Sequence, residues 1–139
     1  LEVNQGTLRH QRPVNGPLRF ALDTVDLNFA VKDRPDFAYP VQAIRFGNDV
    51  TLIALGTEVV VDYSLRLKSE LSRPEGPAIW VAGYSNVYSG YIPSRRVLLE
   101  GGYEARSRPW HPDLEERIVK KVHDIVGQLK VTRDERPED

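Results

Sequence analysis

Apolar residues in LRFALDTVDLNFAV, residues 18–31, alternate as Phe20 and Leu22 and then change phase to Val25, Leu27 and Phe29. Alternation with a period of two marks a strand with one buried face, and the phase change predicts a bulge or bend near Asp23 and Thr24. KDRPDF, residues 32–37, interrupts the run with a proline. YPVQAIRF reads as a second strand, Gly47-Asn48-Asp49 as a hairpin turn, and VTLIAL, residues 50–55, as an antiparallel partner. After Leu55 the period lengthens. In EVVVDYSLRLKSEL, residues 58–71, Val60, Leu67 and Leu71 share a face with Val61 and Ser64 beside them, and Thr57 suits the N-cap. This predicts a helix over 58–71, which SRPEGP ends. AIWVAGY follows as a short buried strand. The last element is PDLEERIVKKVHDIVGQL, where Leu114, Ile118, Val122, Ile125 and Leu129 recur at helical spacing. Pro112 suits its first turn, and Asp113, Glu115 and Glu116 lie near the positive end of its dipole.

Strand 50–55, helix 58–71 and strand 78–83 form a βαβ unit, whose crossover is expected to be right-handed and whose strands are therefore parallel. The fold class that follows is α/β: a mixed sheet with an antiparallel hairpin and a βαβ unit, and helices packed on the sheet. Residues 1–17 read as an irregular lead-in, 18–129 as the α/β domain and 130–139 as a polar tail. The chain of 139 residues, 40% hydrophobic, is long enough for one core. Its formal net charge of −1 offers no basic field for nucleic acid and no polybasic stripe for a membrane. No apolar run approaches the ~18 residues of a bilayer span. Cysteine is absent, which excludes disulfide and thiolate chemistry, and methionine is absent too. A chain opening LEVNQGTLRHQRP without an initiator is expected to be an excised domain or a processed piece of a longer protein.

The loop GYSNVYSGYIPSRR, residues 83–96, gathers three tyrosines, an asparagine and two arginines just beyond the strand IWVAG. In open α/β sheets ligands bind at the carboxyl ends of the strands. Glu58 follows the first parallel strand, and Asn86, Tyr88 and Tyr91 follow the second, so a carboxylate and a cluster of phenols are expected at one crevice. Taken alone, each residue also has a plainer role. Glu58 is favoured by the dipole of a helix that starts beside it. Tyr84 and Tyr88 can cap the core with polar tips outward, and Asn86 can fix a turn through its own backbone. Arg95 and Arg96 can be solvated, and His123 can be structural.

ALGTE at 54–58, GYSNVYSGY at 83–91 and GGYE at 101–104 together resemble the C-terminal part of the catalytic domain of the neutral/alkaline (non-lysosomal) ceramidase family. That family carries an ALPGE-like turn, a loop of the form N-x-Y-x-x-Y and a YE pair in this order, and the resemblance spans roughly residues 40–126. Its members are zinc amidases that cleave the N-acyl bond of ceramide to sphingosine and a fatty acid. The resemblance implies that Glu58 and Tyr91 are zinc ligands and that Tyr103 is a catalytic tyrosine able to hydrogen-bond the scissile amide oxygen. Asn86, Tyr88, Arg95 and Arg96 would line the substrate crevice. The family's zinc histidines lie upstream, and His10, His111 and His123 match none of them. Zinc is therefore expected only with ligands from the remainder of a parent chain, and this chain alone is expected to be inactive. A lipid amide substrate and a secreted, periplasmic or membrane-associated location are further implications.

The chain also departs from the pattern. Gly56-Thr57 stands where many members have Pro-Gly before the glutamate, IPSRR replaces an acidic TT-x-EE-like segment, and Ser107-Arg108-Pro109-Trp110 replaces the region that narrows the family's entrance. The alternative expectation is a non-catalytic α/β structural or interaction domain in which Glu58 and Tyr91 serve packing and capping.

Overall fold

The computed structural model describes residues 13–32 and 35–129; His10, most of the lead-in and the polar tail lie outside the described residues. β1 (Leu18–Leu27) and β2 (Phe37–Phe46) pair antiparallel along their whole length, from Leu18 opposite Phe46 to Leu27 opposite Phe37. The pairing advances residue for residue, so there is no bulge at Asp23 and Thr24. The phase change has a different cause: apolar residues occupy both faces of this strand. Val25 and Leu27 face the interior, whereas Phe20 and Leu22 point outward and are exposed.

Gly47, at a φ of 53°, turns the chain into β3 (Val50–Leu55), antiparallel to β2. Then come β4 (Glu58–Val59), α1 (Val61–Leu71) and β5 (Ala78–Ala82), with β5 parallel to β3. The sheet order is β1-β2-β3-β5. β6 (Tyr91–Ile92) pairs with β4 in a separate parallel ladder, and α2 (Arg95–Glu100), a single 3₁₀ turn and α3 (Leu114–Gln128) close the described chain. The expected hairpin, βαβ unit and final helix are all present.

Two expected details differ. The helix begins at Val61 rather than Glu58, because the N–H groups of Glu58 and Val60 are taken by the carbonyls of Gly90 and Ile92. A Val59-Val60-Val61 run, stiff at χ1, suits that extended entry. Val61 is exposed, and the helix buries Tyr63 and Leu67 instead.

Both long helices lie on one face of the sheet. Tyr63 and Leu67 of α1 meet Leu114, Ile118, Val122 and Ile125 of α3 in one core with Tyr39, Val41, Ile53 and Leu55 of the strands. Arg66 of α1 clamps the helix pair, donating from Nη1 to Glu115 at 2.8 Å and to Glu116 at 2.7 Å. Among the described residues the opposite face carries no helix. Across it Phe20, Ile44, Leu52 and Trp80 stand in register, one from each strand. Trp80 is 60% exposed, so the strand expected to be buried is covered on its inner side only.

Candidate functional site

The carboxyl ends of β3 and β5 feed two segments, 56–60 and 83–92, that are joined backbone to backbone. Thr57 N–H donates to Val87 O at 2.7 Å, Tyr84 N–H to Thr57 O at 2.7 Å and Ser85 N–H to Leu55 O at 3.0 Å. Gly56 sits so close to its neighbours that a Cβ there would stand 2.8 Å from Val87 Cγ1. The non-glycine residues with left-handed φ among those described are Thr57 (56°), Tyr84 (54°) and Asn86 (65°), all at this edge. Each such residue costs about 1–2 kcal/mol, and the cost is greatest to justify for β-branched Thr57. Its buried hydroxyl also lacks a hydrogen-bond partner. Backbone of this kind persists only where its surroundings over-determine it.

Core aromatics supply that constraint. The buried Tyr39 hydroxyl donates to Gly56 O at 2.8 Å, the buried Tyr63 hydroxyl to Pro93 O at 3.1 Å, and Trp110 Nε1 to Tyr91 O at 3.0 Å. Burial holds the Tyr39 and Tyr63 phenols far above their ordinary pKa, so they remain donors at any physiological pH. The rigid interior thus grips the site by three carbonyls.

In the β4–β6 ladder Glu58 and Tyr91 are direct partners. The Glu58 carboxylate lies close enough to two phenols to act on both. That contact pushes Tyr84 up to about 12, and for Tyr91 it adds to a rise due first to removal from water. Tyr84 stacks on Tyr88 with ring centroids 5.9 Å apart, and Tyr91 meets Tyr103 edge to face at 5.5 Å. The result is a carboxylate between two aromatic pairs.

Beside it opens a cavity of about 440 Å³, lined in part by Glu58, Tyr91, Asp62, Arg96, Glu100 and Glu104. Four carboxylates against one guanidinium make it acidic, and Arg96 is already engaged. It forks onto Asp62 at 2.9 and 3.0 Å and reaches Glu100 at 2.6 Å. Asp62 also accepts from Ser94, the N-cap of α2, and the Arg96 and Ser94 contacts hold its carboxyl below the usual range.

Of the residues expected at the crevice, Glu58, Tyr91 and Arg96 line this cavity. Tyr103 is 75% exposed and reaches the group through its contact with Tyr91. Tyr88 lies outside on Tyr84, Asn86 donates to Gln42 Oε1 at 3.3 Å, and Arg95 offers its backbone N–H to Glu115 at 2.7 Å. Sequence reasoning assigned no part in the chemistry to Tyr84, Asp62, Glu100 or Glu104. Glu104 was visible in the GGYE motif, whereas the Tyr84–Glu58 contact depends on a left-handed backbone that no local signal announces.

Glu58 and Tyr91 are register partners that each carry an oxygen donor, but a zinc site takes at least three protein ligands. No group of three His, Cys, Asp or Glu placed to hold a metal occurs among the described residues. Two oxygen donors are fewer than such a site needs, and any further ligand would have to come from outside the described residues. No helix of the described residues is long and apolar enough to cross a membrane.

No protein-family model matches the chain, and no curated protein does either. Solved structures do. A neutral ceramidase from Pseudomonas aeruginosa superposes with a TM-score of 0.64 at 17% identity, over 91% of this chain and 31% of that one. A ceramidase complexed with C2 superposes with a TM-score of 0.53 at 22% identity, over 72% of this chain and 17% of that one. At such identities the likeness is one of fold. The chain spans under a third of the length of either structure.

Proposed function

We propose that this chain supplies part of the active site of a zinc-dependent amidohydrolase resembling neutral ceramidase, hydrolysing the N-acyl bond of ceramide or a related lipid amide to sphingosine and a fatty acid. The observation that carries the reading is the Glu58–Tyr91 pair, set side by side at a strained edge of a fold shared with two solved ceramidases. Glu58 and Tyr91 would hold zinc by two oxygens, with histidine ligands coming from outside this chain. Zinc, when bound, supplies a Lewis acid and a water of lowered pKa.

This chain's own residues do the rest. The Tyr91 phenol keeps its proton beside the Glu58 carboxylate, and both groups would serve as oxygen ligands when zinc is bound. Tyr103, its ring fixed against Tyr91, can donate to an amide oxygen that gains charge in the tetrahedral intermediate. Arg96 braces the cavity wall through Asp62 and Glu100 and leaves the acidic pocket suited to a cation rather than to an anionic headgroup.

The test is the zinc content of the complete product of the native gene, by elemental mass spectrometry after dialysis. Stoichiometric zinc in the wild type that falls in Glu58→Gln and Tyr91→Phe supports the reading. A protein that takes up no zinc even when it is offered sinks it, and leaves the non-catalytic interaction domain.

A further inference from the structure

The uncovered face of the sheet is built like an interior. Its central row of Phe20, Ile44, Leu52 and Trp80 is flanked by one row running from Leu18 to Ala78 and another from Leu22 to Ala82. Among these twelve positions Gln42 is the one polar side chain, and none is charged. A sheet with one solvated face shows polar residues there, whereas runs such as VTLIAL and AIWVA are the pattern of strands buried on both faces. The ion pairs of Arg66 with Glu115 and Glu116 belong to the helix side. Within these twelve positions no charge marks the face for water.

We propose that this face is the seat of a second apolar polypeptide layer, contributed by a part of the same gene product outside this chain. Size argues for a tethered layer over a second copy. Strand spacing of about 4.8 Å and row spacing of about 6.8 Å give the patch a footprint on the order of 400 Å². Two such patches together bury roughly 800 Å², short of the ~1,200–2,000 Å² of a stable association between separate chains. A layer in the same chain needs no such area, because tethering raises its effective concentration to about the millimolar range. Two solved structures that share this fold are longer chains, of which the matched part is 31% and 17%.

The seat adjoins the site. The 84–88 loop touches both: Asn86 donates to Gln42 on the open face, while the Tyr84 backbone N–H donates to Thr57 O beside Glu58. A layer seated there ends beside the loop that carries the phenols. The docking itself stands or falls without any metal.

Hydroxyl-radical footprinting of the complete native gene product tests the proposal, with internal references of the same residue types. Trp110, 3% exposed in the core, is the slow standard for Trp80, and Leu99, 80% exposed on α2, is the fast standard for Leu22. The proposal expects Trp80 to label within about twofold of Trp110, and Leu22 about tenfold more slowly than Leu99, as burial on both faces requires. Rapid labelling of Trp80 and Leu22 overturns it. So does protection that vanishes on dilution, the signature of a second copy, and so does protection that appears only with added phosphatidylcholine vesicles. Zinc content plays no part in the readout, so failure here and failure of the metallohydrolase reading are separable.

Discussion

The helix-covered interior and the edge at residues 56–58 and 84–91 are held by opposite means. In the interior, Tyr63, Leu67, Ile118 and Ile125 sit in regular helices at fully buried positions, and geometry and packing agree. At the edge, backbone preference is overruled at Thr57, Tyr84 and Asn86, and hydrogen bonds from the interior hold the strained loops in place. One region stores stability and the other draws on it, which is the expected division between a scaffold and a site.

If the interior is held by packing, Leu67→Ala has the largest effect. Leu67 is fully buried against the core, so its truncation leaves a cavity and costs about 2–5 kcal/mol in urea unfolding. Metal bound per folded molecule is expected to stay unchanged, because Leu67 touches no site group. A loss below 1 kcal/mol would mean that the helix layer is loosely packed and cannot act as the rigid member of the pair.

Tyr39→Phe addresses the link between the regions. It keeps the buried ring and removes the donor to Gly56 O, leaving that carbonyl unsatisfied at a cost of about 1–2 kcal/mol. Gly56 precedes Thr57 and Glu58 directly, so the same variant should weaken zinc retention where Leu67→Ala does not. Equal zinc retention in the two variants would show that the edge keeps its geometry without the interior's grip.

Thr57→Gly should change the sign. Glycine adopts the left-handed conformation at no steric cost, and the substitution also deletes a buried hydroxyl without a partner. A gain of about 1 kcal/mol is expected, less than the full strain because the threonine methyl is lost with it. A destabilised variant would place the strain elsewhere. Glycine is also what the resembled ceramidase pattern carries at this point, so zinc retention in Thr57→Gly should be intact.

How much could be read from the sequence follows the same division. The hairpin at 47–49, the parallel β3–β5 pair and the buried stripe Leu114, Ile118, Val122 and Ile125 of α3, with Leu129 just past its end, were legible, because there local period, turn chemistry and burial agree. The start of α1 was not, because Thr57 and the valine run enter it through a strand bridge to β6 rather than through a cap. The phase change in β1 was misread as a bulge because a one-sided sheet was assumed, while Phe20 and Leu22 belong to a second apolar face. At the site, Glu58 and Tyr91 were expected at one edge, and they are register partners. Tyr84 was read as a cap on the core; its approach to Glu58 follows from its left-handed backbone next to Gly83, which no periodicity reveals.

The smallest effect lies in titration, and it isolates the Glu58 cluster from everything around it. Tyr84 is pushed up to about 12, first by its hydrogen bond to Glu58, from an ordinary value of 10.0. The folded value exceeds the unfolded one, so the folded state holds this proton more tightly. The contribution to stability is therefore fully present below pH 10 and is lost as pH rises from about 10 to about 12. Glu58→Gln removes the negative charge while keeping an acceptor, so Tyr84 should titrate closer to 10, with Tyr91 also falling but remaining raised by its removal from water. Tyrosinate absorbance against pH measures both, and Tyr84→Phe assigns the phases. An unchanged profile in Glu58→Gln would mean that the carboxylate does not face the phenols. The edge would then have strain without a cluster for that strain to position.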